Sequence, residues 1–321
     1  MQKATIVIPN LNGLTYLEKC LDSLREQTMQ DFSIILIDNG STDGSAEFVA
    51  GRYPEVRLIR HNTNTGFCYA VNEGIRLSDT PYVILLNNDT ICESEFVEKL
   101  VRRMEKHPDC FSCASRMVRM DSPDLIDSAG DYYCALGWAF ARGKGKPAAG
   151  YEKAGPVFST CAGAAIYRRK LFESVGYFDE AHFAYLEDVD VCYRARIAGY
   201  RILYEPEAVV RHVGSAASGS IYNDFKIRHS SRNNVYLIYK NMPLLQILLN
   251  LPLLAAGFAV KLVFFASRGF GKEYFFGLGK GIRLSRKNKN RKVRYKPENL
   301  GNYVRIQLEL WVNIFRRLAE F

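Results

Sequence analysis

Four short clusters of amide and carboxylate side chains follow four strand-like runs in the first 90 residues. They are Pro9-Asn10-Leu11-Asn12-Gly13, Asp38-Asn39-Gly40-Ser41-Thr42-Asp43-Gly44, Asn64-Thr65-Gly66-Phe67 leading on to Asn72, and Asn87-Asn88-Asp89-Thr90. Such groups donate and accept hydrogen bonds, and their oxygens suit a hard divalent cation. Each cluster alone is ordinary turn chemistry. Four in order, each after a strand-like run, point to a polar ligand held along the carboxyl edge of an open sheet. A fifth cluster, Glu187-Asp188-Val189-Asp190, opens a predicted helix. On a helix Asp188 and Asp190 point about 200° apart, so both do not face one ligand. The helix dipole favours acid at that end. That accounts for the acidity, but not for its arrival directly after Phe183-Ala184-Tyr185-Leu186.

The elements that must position these groups are legible. Residues 4–9, 32–37 and 82–86 are apolar, β-rich runs, and a further strand is expected near 56–60. Residues 14–27, with Leu14, Leu17, Leu21 and Leu24, have helical spacing, and helices are predicted to about Arg52 and over 67–76. Strands alternating with helices of this length imply a mostly parallel sheet with helices on both faces. Fully apolar strands agree, because parallel strands are buried on both sides. Residues 111–167 read as mixed strands and loops of the same domain. A helix is expected over Glu187 to Ala198, with short strands at 200–204 and 208–211.

Charge divides the chain. Residues 261–321 hold 15 Lys/Arg against 4 Asp/Glu, whereas residues 1–260 hold 28 against 30. The segment 243–266 (PLLQILLNLPLLAAGFAVKLVFFA) is long enough to test against a bilayer, but Gln246, Asn250, Pro252 and Lys261 interrupt it. A helix lying in the membrane interface, or a helical hairpin packed against membrane and domain, fits better than a spanning one. The neighbouring 280–296 is strongly basic, and apolar helix plus basic cluster is a two-signal pattern for an anionic membrane. No aromatic-basic motif for nucleic acid is present. The expected division is 1–240 for the domain with chemistry and 241–321 for the apolar, basic helical region. Cys110 and Cys113 form a lone C-x-x-C among eight cysteines, which argues against zinc and for a reducing compartment. No leader precedes the first strand, so the cytoplasmic face of the cell membrane is the expected location.

The runs IVIPNLNG, IDNGSTDGS, NTGFCYAVNEGI and LLNNDT resemble the successive motifs of family-2 glycosyltransferases with the GT-A fold. The block CAGAAIYRRKLFESVGYFDEAHFAYLEDVDVCYRARIAGYRILYEPEAVVRH resembles that family's acceptor-side half. LLNNDT with this block is similar to the rhamnosyltransferase-like branch. The resemblance covers about residues 3–240.

That resemblance implies roles by position. Asp38 would accept from the nucleotide base. Pro9, Asn10, Asn12, Asn39, Asn64, Gly66, Phe67, Asn72, Asn87 and Asn88 would line the nucleotide-sugar pocket. Asn87-Asn88-Asp89 stands at the D-x-D position, with Asp89 its one full carboxylate. Asp89 and His212 would hold Mg2+ or Mn2+ with the diphosphate. Asp188 would be the general base of a single inverting displacement, with Glu187, Tyr185 and Trp138 on the acceptor side. The expected donor is dTDP-L-rhamnose, with UDP-hexoses next. The expected acceptor is a hydroxyl of a lipid-linked or cell-surface glycan, and a homo-oligomer stays open. Two other classes fit less well. A nucleotidylyltransferase would carry a Gly-rich loop with a lysine where Asn10-Leu11-Asn12-Gly13 stands. A non-catalytic sugar-nucleotide scaffold would have no need to keep Asp38, Asp89, Asp188 and His212 together.

Overall fold

The computed structural model describes residues 2–214 and 222–319. The chain begins as alternating strands and helices: β1 (Ala4–Asn10), α1 (Leu14–Arg25), β2 (Phe32–Asp38), α2 (Ser45–Arg52), β3 (Val56–Arg60), α3 (Phe67–Leu77) and β4 (Tyr82–Leu86). Then follow β5 (Thr90–Cys92), α4 (Phe96–Lys106), β6 (Cys110–Arg119), β7 (Ile126–Ser128), β8 (Asp131–Cys134) and β9 (Trp138–Ala141). After these come β10 (Gly155–Pro156), β11 (Ala164–Arg168), α5 (Phe172–Val175), α6 (Glu187–Ile197) and β12 (Arg201–His212). Four helices close the chain: α7 (Asp224–Asn241), α8 (Leu244–Ala266), α9 (Gly271–Lys287) and α10 (Leu300–Ala319).

One mixed sheet runs β10-β12-β6-β11-β4-β1-β2-β3, with β5 on β12 and β7 on β6; β8 and β9 form a separate hairpin. β3, β2, β1 and β4 are mutually parallel, while β11 lies antiparallel between β4 and β6. Alternation feeds two cores. Ile6 and Ile8 face one layer with Leu17, Leu21 and Leu100, and Val7 faces the other with Val71, Ile75 and Val191. All five residues of β4 are buried, as a strand covered on both faces requires.

The structure departs from the sequence expectation at one strand. The pieces foreseen at 200–204 and 208–211 are one strand, β12, with a register shift between Glu205 and Val209. A β-bulge absorbs the polar Glu205-Pro206-Glu207 step without ending the strand. The apolar region packs against the domain. A third core joins Tyr193 and Ile197 of α6 to Leu237, Leu254, Ile306 and Leu310 of α7, α8 and α10.

That core explains the polar interruptions of α8. Gln246, Asn250, Leu254 and Gly257 form its buried stripe. Gln246 Oε1 accepts from the Tyr193 hydroxyl at 2.9 Å, and Asn250 and Gln307 exchange two amide bonds at 2.8 Å. A β-carbon on Gly257 would fall 2.1 Å from the Leu136 carbonyl, so glycine lets the helix seat against the hairpin turn. The polar groups therefore face protein, and the outward face stays apolar. Leu245 is 77% exposed and Val263 is 69% exposed. α8 is long and apolar enough to cross a membrane.

Candidate active site

The strand ends of the mixed sheet open into a cleft of about 1060 Å3. Pro9, Asn10, Asn39, Asn64, Gly66, Phe67, Asn87, Asn88 and Asp89 line it from the first four polar clusters. Tyr185, Glu187, Asp188 and His212 line it from the far side. Phe270 lines it too, so the connection between α8 and α9 reaches the wall.

Several foreseen contact residues stand behind that wall. Asp38 is buried; its Oδ1 accepts from Asn10 Nδ2 at 2.9 Å and its Oδ2 from Ser41 N–H at 3.2 Å. Asn10 Oδ1 in turn accepts from Asn88 Nδ2 at 2.6 Å. Asp38 is thus engaged in fixing Asn10 and Asn88, and Asn39 takes the place at the cleft. Asn12 holds the opposite loop through Thr42 N–H at 2.8 Å. Asn72 is 1% exposed, and its amide ties down the 178–180 turn. Trp138 is further away still: Nε1 donates to the Gly257 carbonyl on α8 at 3.0 Å, and the ring is not in the cleft. An indole N–H seeks a partner when partly buried, and here the docked helix supplies it. Trp138, expected on the acceptor side, anchors α8 to the hairpin.

Asn39 organises the third cluster. Its Oδ1 accepts from Thr65 N–H at 3.0 Å, and its Nδ2 donates to Asn64 Oδ1 at 3.0 Å. Gly66 has φ +89°, and a β-carbon there would lie 2.5 Å from the Phe183 ring. Glycine therefore lets this loop and the Phe183 loop meet.

Asp89 and His212 converge through the pairing of β5 with β12, which sets His212 opposite Thr90. His212 Nε2 lies 3.3 Å from Asp89 Oδ1. His212 Nδ1 lies 2.7 Å from Asp127 Oδ2, a residue not singled out in the sequence. Burial pulls the His212 imidazole down, but the bonds to Asp127 and Asp89 outweigh it and push its pKa up to about 9. A carboxylate on one imidazole nitrogen with the other aimed at a second carboxylate is the arrangement that orients a metal-binding histidine. The oxygen and imidazole donors present fit a divalent cation.

Asp188 sits in the first turn of α6, half-buried, with its Oδ1 accepting from Val189 N–H at 2.7 Å. Asp131 and Cys161 gather beside it, their ligating atoms all within 4.8 Å. Burial drives the Cys161 thiol well up, which disfavours the thiolate a metal would need. Burial lifts Asp188 to about 6 and, with the neighbouring Asp188 charge, lifts Asp131 well above the carboxylate range. Burial and Asp188 raise Glu187 to about 8. Two carboxyls this close do not both ionise readily. Burial and the Asp188 charge hold Asp131 up, so Asp188 is the more readily ionised of the two.

The turn before α6 is strained. Phe183, Tyr185 and Leu186 all have φ between 64° and 73°, a region that costs non-glycine residues energy and persists where surroundings over-determine it. Asn233 of α7 supplies that constraint. It is fully buried, and its Nδ2 faces the carbonyls of His182, Ala184 and Tyr185 at 3.0, 2.8 and 2.7 Å. Asn233, Asp127 and Asp131 lie in no recognisable spacing, and only the fold brings them here.

Residues 5–176 match the family model Glycosyl transferase family 2. The chain is 30% identical over 227 residues to an N-acetylglucosaminyl-diphospho-decaprenol L-rhamnosyltransferase of Mycobacterium tuberculosis, covering 64% of this chain and 74% of that one. Among solved structures it is similar to S. aureus TarS in complex with UDP-GlcNAc, with TM-score 0.60, 16% identity, and 88% and 81% of the two chains covered. It is also similar to the mannosyltransferase PcManGT of Pyrobaculum calidifontis in complex with GDP-Man and Mn2+, with TM-score 0.53, 16% identity, and 90% and 86% covered. The sheet is that of the GT-A fold, and the chain belongs to glycosyl transferase family 2.

Proposed function

We propose that this protein is an inverting glycosyltransferase that moves L-rhamnose from dTDP-L-rhamnose to a hydroxyl of a lipid-linked glycan. The observation that carries the reading is one cleft with Asp89 and His212 on one wall and Asp188 on another. Asp188 takes the proton of the acceptor hydroxyl. The acceptor oxygen bonds to the anomeric carbon as the bond to the diphosphate breaks on the opposite face. A single carboxylate base suffices for such a displacement. Asn39, Asn64 and the Gly66–Phe67 turn hold the nucleoside, and Asn88, fixed through Asn10 by Asp38, orients the diphosphate side. A Mg2+ or Mn2+ ion held by Asp89 and His212 would neutralise charge on the leaving diphosphate. The rhamnosyl donor is supported by the Mycobacterium relative. A UDP-hexose is the second reading, supported by the likeness to a fold that holds UDP-GlcNAc in TarS.

The test is nucleoside diphosphate release. With a GlcNAc-diphosphate-alkyl acceptor and Mg2+ or Mn2+, dTDP-rhamnose is expected to be consumed faster than UDP-glucose or UDP-GlcNAc. Faster consumption of a UDP-sugar assigns the second donor, and release of pyrophosphate from a nucleoside triphosphate instead would overturn the reading. The same assay carries a pH prediction. Since Asp188 is raised to about 6, kcat/KM should climb about tenfold per pH unit below that point and level above it. A profile flat from pH 5 to 8 contradicts Asp188 as base.

The apolar face of α8 is proposed to lie in an anionic membrane surface, with the basic 280–296 segment at the headgroups. Deleting this region would strip the third core, so surface substitution is the cleaner probe. Leu245→Glu with Leu249→Glu changes exposed positions and should weaken pelleting with phosphatidylglycerol vesicles at least about tenfold. Unchanged pelleting removes this part of the proposal.

A further inference from the structure

One corner of the cleft is more acidic than a single base needs. Asp131 opens β8 and lines the cleft beside Asp188, which comes from α6. One oxygen of each lies within 4.8 Å of the other and of the Cys161 sulfur. The Asp131 carboxylate accepts from Ser128 Oγ at 3.2 Å, and among the described residues no other side chain donates to it. A carboxylate has two oxygens and several lone pairs, so most of its accepting capacity is left for a ligand.

The hairpin keeps this corner roomy. Asp131 pairs with Ala141, and Tyr133 with Ala139. Directly opposed residues share a face, and so do alternate residues along a strand. Asp131, Ala139 and Ala141 therefore stand on one face, and all three line the cleft. Methyl groups beside a carboxyl suit a sugar, which presents apolar C–H bonds between its hydroxyls.

A second group points to a polar ligand here. Glu187 also lines the cleft and is buried, and its Oε2 has no hydrogen-bond partner among the described residues. Buried polar atoms are nearly always bonded, so a donor is expected to arrive with the ligand. Asp131 and Asp188 make the same demand, because like charges this close repel. Hydroxyls placed between them give each carboxyl a partner. A hydroxyl–carboxylate hydrogen bond spans about 2.6 Å. Oxygens no more than 4.8 Å apart can then each reach one of two hydroxyls on neighbouring ring carbons.

We propose that Asp131 accepts a hydrogen bond from the acceptor hydroxyl next to the one that Asp188 deprotonates, so that the enzyme selects a sugar with a free vicinal diol. This rests on the glycosyl-transfer reading above. Asp188 takes the proton of one hydroxyl, whose oxygen forms the new bond. Asp131 leaves the neighbouring hydroxyl intact and fixes the rotation of the ring in the cleft.

The experiment uses the full chain and a GlcNAc-diphosphate-alkyl acceptor with its singly deoxygenated analogues. Wild type should transfer nothing to the analogue that lacks the reacting hydroxyl. Loss of the neighbouring hydroxyl should lower kcat/KM about 10- to 100-fold, the worth of one hydrogen bond to a charged group. In Asp131→Ala that penalty should shrink below about threefold, while penalties for other hydroxyls stay as in wild type. Asp131→Asn keeps the side-chain shape and an oxygen for Ser128. Its penalty should be about fivefold smaller than that of wild type, as for a neutral acceptor. It gives the same readout if the alanine variant does not fold. An unchanged neighbour penalty in the variants overturns the proposal. Equal slowing of every acceptor also overturns it, since Asp131 would then support the fold. So does a penalty relieved at a hydroxyl that is not adjacent to the reacting one. A raised Mn2+ requirement common to all acceptors marks a cation at this corner, and the proposal falls.

Binding separates this from the reading it rests on. With nucleoside diphosphate and Mn2+ present, calorimetry should show one deoxygenated analogue weakened in wild type and relieved in Asp131→Ala. That pattern in a chain that transfers no sugar would retain the diol site and remove the enzyme reading. Transfer without the pattern would retain the enzyme and remove the diol site.

Discussion

Asp188→Asn is expected to lower sugar transfer about 10^3-fold, in the middle of the range for a positioned general base. Donor affinity should change less than about twofold, because the mutated group faces the acceptor and not the diphosphate. Asparagine keeps the shape and can still occupy the first turn of α6, but its amide cannot take a proton at any useful pH. The environment is suited to the role. The carboxyl lies half-buried beside Asp131, whose own carboxyl is held up by burial and the Asp188 charge, and burial pushes the Asp188 pKa up to about 6, which keeps it basic near neutral pH. Steady-state transfer with separate donor titration checks the prediction. Transfer within about tenfold of wild type, with donor binding intact, would mean that another group takes the proton.

Asp190→Ala should act on the fold. Two residues along the same helix, this side chain is wholly buried. It accepts from Lys240 Nζ at 2.8 Å, from Arg194 at 2.9 Å and from Asn241 Nδ2 at 2.8 Å. Lys240 is also bonded to Asp179 at 2.7 Å, and Arg291 reaches the other oxygen of Asp179. The cluster joins α6 to α7 and to the loop after α9. Removing Asp190 leaves Lys240 and Arg194 buried with a depleted set of partners. Breaking such a pair costs about 3–5 kcal/mol. Thermal or urea unfolding should show that loss. A change below about 1 kcal/mol, the surface-pair scale, would mean that water replaces the carboxylate. The pH dependence has a definite sign. Lys240 offsets burial and holds Asp179 and Asp190 well below their ordinary value of 3.8. Their contribution is complete above that value and is lost as acid protonates them. Wild type should lose stability below about pH 4 more steeply than Asp190→Ala.

Neighbouring acids of one helix thus have unlike tasks, and helical geometry alone separated them. The 200° between Asp188 and Asp190 was available from sequence, and so was the order of polar clusters after apolar strands. Apolar runs of five or six residues, rich in Val, Ile and Leu, can be satisfied in few ways other than a covered parallel sheet, so β1, β2 and β4 and their loop ends were legible. The motif spacing also marked Asp89, Asp188 and His212, because each lies at the end or start of an element that local pattern defines.

What local pattern could not encode is direction at loops and contact across distance. Asp38 and Asn39 are adjacent, and only the strand-end twist decides that Asn39 lines the cleft while Asp38 braces Asn10. Trp138 looked like a sugar platform because aromatic residues serve that role, yet Gly257 admits a helix that claims its N–H. Gln246 and Asn250 looked like flaws in a membrane helix until the packing of α8 on α6 and α10 showed that they point inward. Asp127, Asp131 and Asn233 had no motif, since their value depends on partners 85, 57 and about 50 residues away. Sequence by itself determined the family's sheet and the residue types at its edge. Tertiary structure decided which of those side chains face the cleft, which hold the others in place, and that the connection between α8 and α9 reaches its wall. The reason is that periodicity fixes which face of an element is buried, whereas packing between elements far apart in the chain fixes what that face meets.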